Sequence, residues 1–421
     1  MSSAIIITFC SLLLIAYLFD LTSEKTKVPS VILLLLLGWL VRQVTIFLEI
    51  RFPDFSSFLP VFGTIGLILI VLEGALELEL NRSKLGLIKK SFLGALVPML
   101  ALGFLLAGLF HYYGNFPFKD SLVNAIPFCV ISSAIAIPSV KNLSSSNKEF
   151  IIYESSLSDI LGVLFFNFFA LHESINLASF GHFGLQLAVI VIVSFVATIG
   201  LSYLLSKIEH QIKFVPIILL IILIYEVSKI YHLPSLIFIM MFGLFIGNLE
   251  ELKQFKWIQR FKPDELNKEV QKFKGLNIEA AFLIKAIFFL FFGFLLETKE
   301  ILNTETLIWS FGIVISIFTF RAFQLRLSKL DFKYLLFVAP RGLITILLFL
   351  SIAPEQKIFL VNKSLIVQVI ILTTLIMMFG LIATSKNEDK KAGEKTTPGI
   401  GETVEEKNRK YRGEENSNSI E

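Results

Sequence analysis

Polar residues in this chain are confined to short breaks between long apolar runs. The stretches 31–41, 66–72, 189–205 and 365–382 carry no charged residue, and each sits in a window long enough to cross a hydrocarbon core of about 30 Å. A window of about 19 residues places helical spans at 4–19, 29–48, 59–78, 91–110, 122–140, 150–171, 183–205, 214–228, 233–249, 279–297, 305–325, 334–353 and 364–384. The pattern predicts an all-α polytopic membrane protein of thirteen spans. No Lys or Arg precedes the first run and no small-residue cleavage pattern follows it, so it reads as a retained span and not as a signal peptide.

Charge then orients the spans. Twenty Lys and Arg lie in the odd-numbered connections and seven in the even-numbered ones. Because cytoplasmic loops carry the positive excess, the odd loops and the C-terminus are expected in the cytoplasm and the N-terminus outside. The loop 250–277 holds seven of the twenty and reads as a cytoplasmic helix or linker joining two halves. From 385 the composition turns to Lys, Glu, Asn, Gly and Ser, which predicts a disordered cytoplasmic tail over 385–421. Its Gly399-Ile400-Gly401 has neither a strand before it nor a helix after it, as a phosphate loop would need.

Composition agrees. The 421 residues are 55% hydrophobic and 17% charged, with a mean hydropathy of +0.76, whereas a soluble domain is about a quarter charged. A soluble enzyme does not fit that balance. The net charge of +4 is too small to point to nucleic acid. Cys10 and Cys129 both lie in apolar stretches and say nothing of redox compartment.

An internal repeat is visible. Lys27-Val28-Pro29-Ser30-Val31, followed by Gly38, reappears as His232-Leu233-Pro234-Ser235-Leu236, followed by Gly243, with both landmarks displaced by 205 residues. Proline is tolerated where a helix begins. The shift carries span two onto span nine, and seven is odd, so the second copy crosses the membrane in the opposite direction. The transmembrane domain 1–384 then divides into repeat one (about 4–171), a linker helix (about 183–205) and repeat two (about 214–384). Inverted repeats of this kind belong to secondary transporters, whose sites lie near the midplane where broken helices meet.

Ionisable groups at that depth are costly, so each is a candidate for function. Span six reads Tyr153-Glu154-Ser155-Ser156-Leu157-Ser158-Asp159, with Asp159 about half-way along the apolar length. Span five contains Ser132-Ser133-Ala134 and Pro138, which strands the Ala134 carbonyl; its counterpart in span twelve is Ala339-Pro340-Arg341-Gly342. Freed carbonyls, hydroxyls and one carboxylate suit a small desolvated monovalent cation. A proton competes for the same carboxylate, so a site that reorients only when loaded would exchange one for the other. The structural alternative for Asp159 is a buried acid locked to a neighbour. A buried Arg requires an anion, and a Glu154–Arg341 pair tying the two repeats together is the expected role for both.

These stretches, with 66–78 in span three, resemble the monovalent cation:proton antiporter superfamily, the sodium/proton exchangers, and the likeness covers most of 4–384. In that family a Glu-Ser-Leu-Leu-Asn-Asp motif ends in the carboxylate that binds cation or proton. The resemblance puts this carboxylate on Asp159, the motif Glu on Glu154, its Ser on Ser155 and the partner Arg on Arg341. It puts the basic residue of the preceding core helix on Arg321, which implies electroneutral exchange, and it implies a homodimer whose core domain moves like an elevator. The Asn before the Asp is Ser158 here, and the usual Thr-Asp-Pro is replaced by Ser132-Ser133-Ala134-Ile135, closer to a potassium- and glutathione-linked branch.

The expected function is therefore antiport of Na+ or K+ against H+ in the cell inner membrane, for pH homeostasis, with no cofactor and with cation, proton and lipid as partners. The expected ion site is Asp159, Ser155, Ser158, Ser132 and Ser133, with Glu73 as a possible funnel residue. Glu77 and Glu79 read as solvated, and Lys285 either snorkels or balances Glu73 or Glu279. The rival readings are a sodium-coupled symporter of an organic anion, or a sensor that kept the fold without flux. An intramembrane aspartyl protease would need two Asp within spans, and a zinc protease a His-Glu-x-x-His sequence.

Overall fold

The computed structural model describes residues 2–395, apart from 27, 50–57, 80–81, 141–142, 173–175, 209, 211, 254–258 and 260–262. The helices are α1 (Ser2–Thr26), α2 (Ser30–Phe47), α3 (Leu59–Glu77), α4 (Leu85–Gly114), α5 (Phe118–Ala125), α6 (Ser133–Ser139), α7 (Ser145–Leu171), α8 (Leu177–Lys207) and α9 (Phe214–Ile230). There follow α10 (Leu236–Gly247), α11 (Leu249–Leu252), α12 (Pro263–Phe294), α13 (Thr298–Ile301), α14 (Thr304–Leu327), α15 (Phe332–Leu335), α16 (Leu343–Leu350) and α17 (Lys363–Lys395). Among the described residues ten helical stretches are long and apolar enough to cross a membrane. The three other expected spans are shorter: α9, α10 and the interrupted pair α15 and α16.

Helix ends follow the local chemistry. Pro29 is the N-cap of α2 and Ser235 that of α10, so both copies of the Pro-Ser landmark do mark helix starts. Asn115 closes α4 in the left-handed region at φ 54°, which Asn tolerates better than most residues. Asn176 caps α8 by accepting from the Ser179 backbone N–H at 2.9 Å.

Two boundaries differ from expectation. Most of the charged stretch 250–277 is neither a separate helix nor a linker: from Pro263 onward it is the first part of α12, with Asp264 and Glu265 in the first turn, where acidic groups meet the exposed N–H groups. At the other end α17 continues through 385–395, past the expected start of a disordered tail; residues 396–421 lie outside the described residues.

Glycines set the closest packing. A Cβ on Gly38 of α2 would run into the Leu290 carbonyl and lie 2.8 Å from the Phe294 N, both in α12, and one on Gly243 of α10 would lie 2.6 Å from Ala75 Cβ of α3. Under the repeat α2 corresponds to α10 and α12 to α3, so the two contacts are the same contact made twice. Small residues let helix backbones approach in this way within a bilayer. Two groups of helices result: α4 to α7 with α14 to α16, and α1 to α3 with α8, α10 and α12. The seam between them is formed mainly by α3 against α6, α7 and α16.

Candidate functional site

Both interruptions lie in the first group and touch. The chain leaves α5 through a 3-10 turn at Ile126–Phe128, runs extended to Ser132 and starts α6 at Ser133. The break expected at Pro138 is therefore found upstream, at Pro127, and Pro138 sits inside α6. Proline at the start of a 3-10 turn lacks a donor that the helix would have used. The second break runs between α15 and α16 through Pro340-Arg341-Gly342, as expected. Ser132 donates its backbone N–H to the Pro340 carbonyl at 2.9 Å, which ties one break to the other.

Arg341 holds the crossing. Its Nε donates to the Phe128 carbonyl at 2.7 Å and its Nη1 to the Ala339 carbonyl at 2.8 Å, while its backbone N–H donates to Thr373 Oγ1 at 3.1 Å. The guanidinium thus meets carbonyls left over where helical turns stop, which carry partial negative charge.

The expected Glu154–Arg341 pair does not form. Glu154 pairs with Arg321 of α14 through Nη1, and Gln324, one turn along α14, donates to the same Oε1 at 3.1 Å. Arg321 Nη1 also donates to Gln324 Oε1 at 3.1 Å and Nε to the Leu335 carbonyl at 3.1 Å. All three side chains are buried. Gly94 of α4 makes the room, since a Cβ there would lie 2.6 Å from Gln324 Nε2 and 2.8 Å from Glu154 Oε1. The physical reason for the exchange of partners is adjacency: α4 packs on both α7 and α14, which brings Arg321 to the Glu154 side. Gln324 was missed by sequence reasoning; its place three residues after Arg321 is the signal that marks it.

Asp159 is 1% exposed. Its Oδ2 accepts from the Ser133 hydroxyl at the start of α6, and its Oδ1 has no hydrogen-bond partner among the described residues. The other expected ligands divide. Ser158 Oγ accepts the Ile131 backbone N–H at 3.0 Å and so braces the first break, and Ser155 donates to its own helix at the Ile151 carbonyl at 2.7 Å. Ser132 Oγ is buried without a partner among the described residues and lies where a Cβ on Gly342 would contact it, at 2.7 Å. A narrow cleft, lined by Met99, Ile131, Ser158, Arg321, Gln324 and Arg341 among others, reaches the crossing between α4 and α14.

The sequence model of the family described as "Sodium/hydrogen exchanger, transmembrane" matches residues 10–385. The chain belongs to the sodium/hydrogen exchanger family. As a member it is a cation:proton antiporter of the membrane and not an enzyme. The exchanger fold is also that of the sodium proton antiporter MjNhaP1 from Methanocaldococcus jannaschii at pH 8, with a TM-score of 0.60 and 21% identity over 96% of this chain and 100% of that one. A second structure of that antiporter, from an electron-microscopy map, gives a TM-score of 0.61 and 19% identity over 96% and 100% of the two chains. No curated protein matches this exchanger.

The remaining expected residues of the exchanger lie on or near the seam. Glu73 of α3 is partly buried beside Gly74, whose Cβ would lie 2.7 Å from Ser156 Oγ of α7. Glu77 faces Lys274 of α12 at 3.8 Å, and Glu79 binds Lys84 at 2.6 Å. Glu79 is thus exposed, as expected, while also paired, whereas Glu77 is only partly exposed. Lys285 is partly buried in α12.

Proposed function

We propose that this exchanger moves Na+ or K+ against H+ by alternating access, with Asp159 as the group that the two ions share. One observation carries the reading: a carboxylate buried where two helix breaks cross, with one oxygen held by Ser133 and the other unengaged. A charged group in such a place is retained for function by default. Asp159 Oδ1, the Ser133 hydroxyl and the Ser132 hydroxyl supply hard oxygens for an alkali cation. Protonation of Asp159 removes the charge that holds the cation, so each ion expels the other. Arg341 and the Ser132–Pro340 hydrogen bond keep the crossing together while α6, α7 and α16 shift along α3. The sorting of Lys and Arg supports an N-terminus outside and a C-terminus in the cytoplasm, and the family likeness supports a homodimer.

The test is exchange by the purified protein in liposomes. Addition of Na+, K+ or Li+ is expected to dissipate an imposed pH gradient, and the cation KM is expected to rise as the pH falls, because protons compete for one carboxylate. Asp159→Asn should exchange nothing. Flux in that variant equal to the parent's would remove Asp159 from the mechanism, and the cation panel decides between Na+ and K+.

A further inference from the structure

Along α7 the residues Tyr153, Ser156 and Asp159 follow one another at steps of three, so they climb a common strip of the helix by about 4.5 Å per step. At the bottom of this strip the seam is shut. Tyr153 donates its hydroxyl to the Glu79 carbonyl at 2.5 Å, and Leu78, Ile152 and Tyr153 form an apolar cluster packed by Leu87, Ile88, Ile137 and Leu244. At the top lies Asp159.

Ser156 stands between them, 3% exposed, and its hydroxyl has no hydrogen-bond partner among the described residues. A helical serine has a ready partner in the carbonyl four residues back, and the adjacent Ser155 uses it. Ser156 instead faces Gly74 of α3, across the seam. A buried hydroxyl left unpaired is destabilising, and it is the absence of a side chain on Gly74 that admits it, since a Cβ there would stand 2.7 Å from the oxygen.

We propose that Ser156 is a cation ligand of this exchanger, engaged when the seam opens, which coordinates the ion together with Asp159 Oδ1. The proposal rests on the antiport reading, and adds to it a residue that neither the crossing nor the ion pair requires. A hydroxyl oxygen suits a hard monovalent cation, and it stands one turn from the carboxylate on the strip that an ion would follow from the Tyr153 end. The same residue that weakens the closed seam then gains its partner from the substrate.

The variant Ser156→Ala separates this from a structural role, because the two readouts move in opposite directions. In liposomes its cation KM is expected to rise about threefold to tenfold, the effect of losing one ligand of hydrogen-bond strength, with kcat little changed. In detergent without the transported cation its thermal midpoint is expected to equal or exceed the parent's, since an unpaired hydroxyl has gone. The rise in midpoint on adding the cation should be smaller than the parent's, because weaker binding stabilises less. An unchanged KM, or an unchanged cation-induced rise in midpoint, would overturn the proposal. Should the parent protein exchange nothing, the antiport reading falls, while the cation-induced midpoint in parent and variant still decides whether Ser156 binds the ion.

Discussion

At the scale of single residues, two buried arginines solve different problems. Arg321 has a carboxylate, Glu154, whereas Arg341 has the Phe128 and Ala339 carbonyls. Removing one member of a buried ion pair leaves the other charge stranded, at a cost of about 3–5 kcal/mol, while replacing both by apolar residues of similar volume is often close to neutral. Arg321→Met is therefore expected to lower the thermal midpoint sharply, and Glu154→Leu combined with Arg321→Met to recover most of the loss. Arg341→Met should instead loosen the crossing. A double-mutant cycle on thermal unfolding checks the assignment, because residues in one network couple and residues outside it add. Coupling between positions 154 and 341 larger than that between 154 and 321 would return Glu154 to Arg341.

At the scale of helices, close approach depends on the absence of a side chain. Gly38→Ala sets a methyl against the α12 backbone at Leu290 and Phe294, which cannot step aside, so α2 must move away and folded yield should fall. Gly108→Ala in α4 meets nothing within 4 Å and should stabilise the fold by about 0.5–1 kcal/mol, as a helical Gly→Ala change does, and so raise the midpoint slightly. Equal midpoints for the two variants, measured in the same detergent, would contradict the packing. These glycines were legible beforehand through the repeat of Pro29 and Gly38 in Pro234 and Gly243, as were the apolar spans, the mid-span position of Asp159 and the break at Pro340-Arg341-Gly342. The break at Ile126–Ser132 was not, because Pro138 looks like the stronger interruption until the hydrogen bond from Ser132 to Pro340 shows where the backbone parts. The partner of Glu154 was hidden for another reason: with two arginines and one glutamate available, only the packing of α4 on α7 and α14 decides between them. The first turns of α12 do carry a helical spacing of apolar residues, Leu266, Val270 and Phe273, all buried, but three such residues among so many charges fall below the hydropathy that marks a span.

At the scale of the molecule, ion pairs fasten the two helix groups at one end of the seam and, elsewhere, tie α2 and α12 to α17. At one end Lys84, just before α4, reaches Glu79 beyond α3 at 2.6 Å and Glu149 of α7 at 3.3 Å. The hydrogen bond that Lys84 donates to Glu79, helped by Glu149, raises the Lys84 ammonium above its ordinary value against the opposing effect of burial. A raised lysine stays charged throughout the neutral range, so this fastening does not titrate there, and the pH dependence of exchange is expected to originate in the seam. Elsewhere α13 is a strap. Arg42 of α2 binds Glu297 at 3.3 Å, while Lys363 of α17 binds Glu300 at 3.1 Å and donates to the Leu295 carbonyl at 2.6 Å. Gln368 adds hydrogen bonds to the Ile301 carbonyl at 3.2 Å and the Asn303 carbonyl at 2.9 Å. In the alternating access proposed above, a shift of one group along the other, with α17 held to the first group by the Arg341–Thr373 hydrogen bond, strains these bonds. Lys363→Ala is therefore expected to change kcat severalfold with the cation KM unmoved, since it alters the barrier between states and not the ligands of the ion. Liposome exchange measured over a range of cation concentrations separates the two constants. A shift confined to KM would place the strap within the ion site, and unchanged values of both would mean that the groups move without disturbing it.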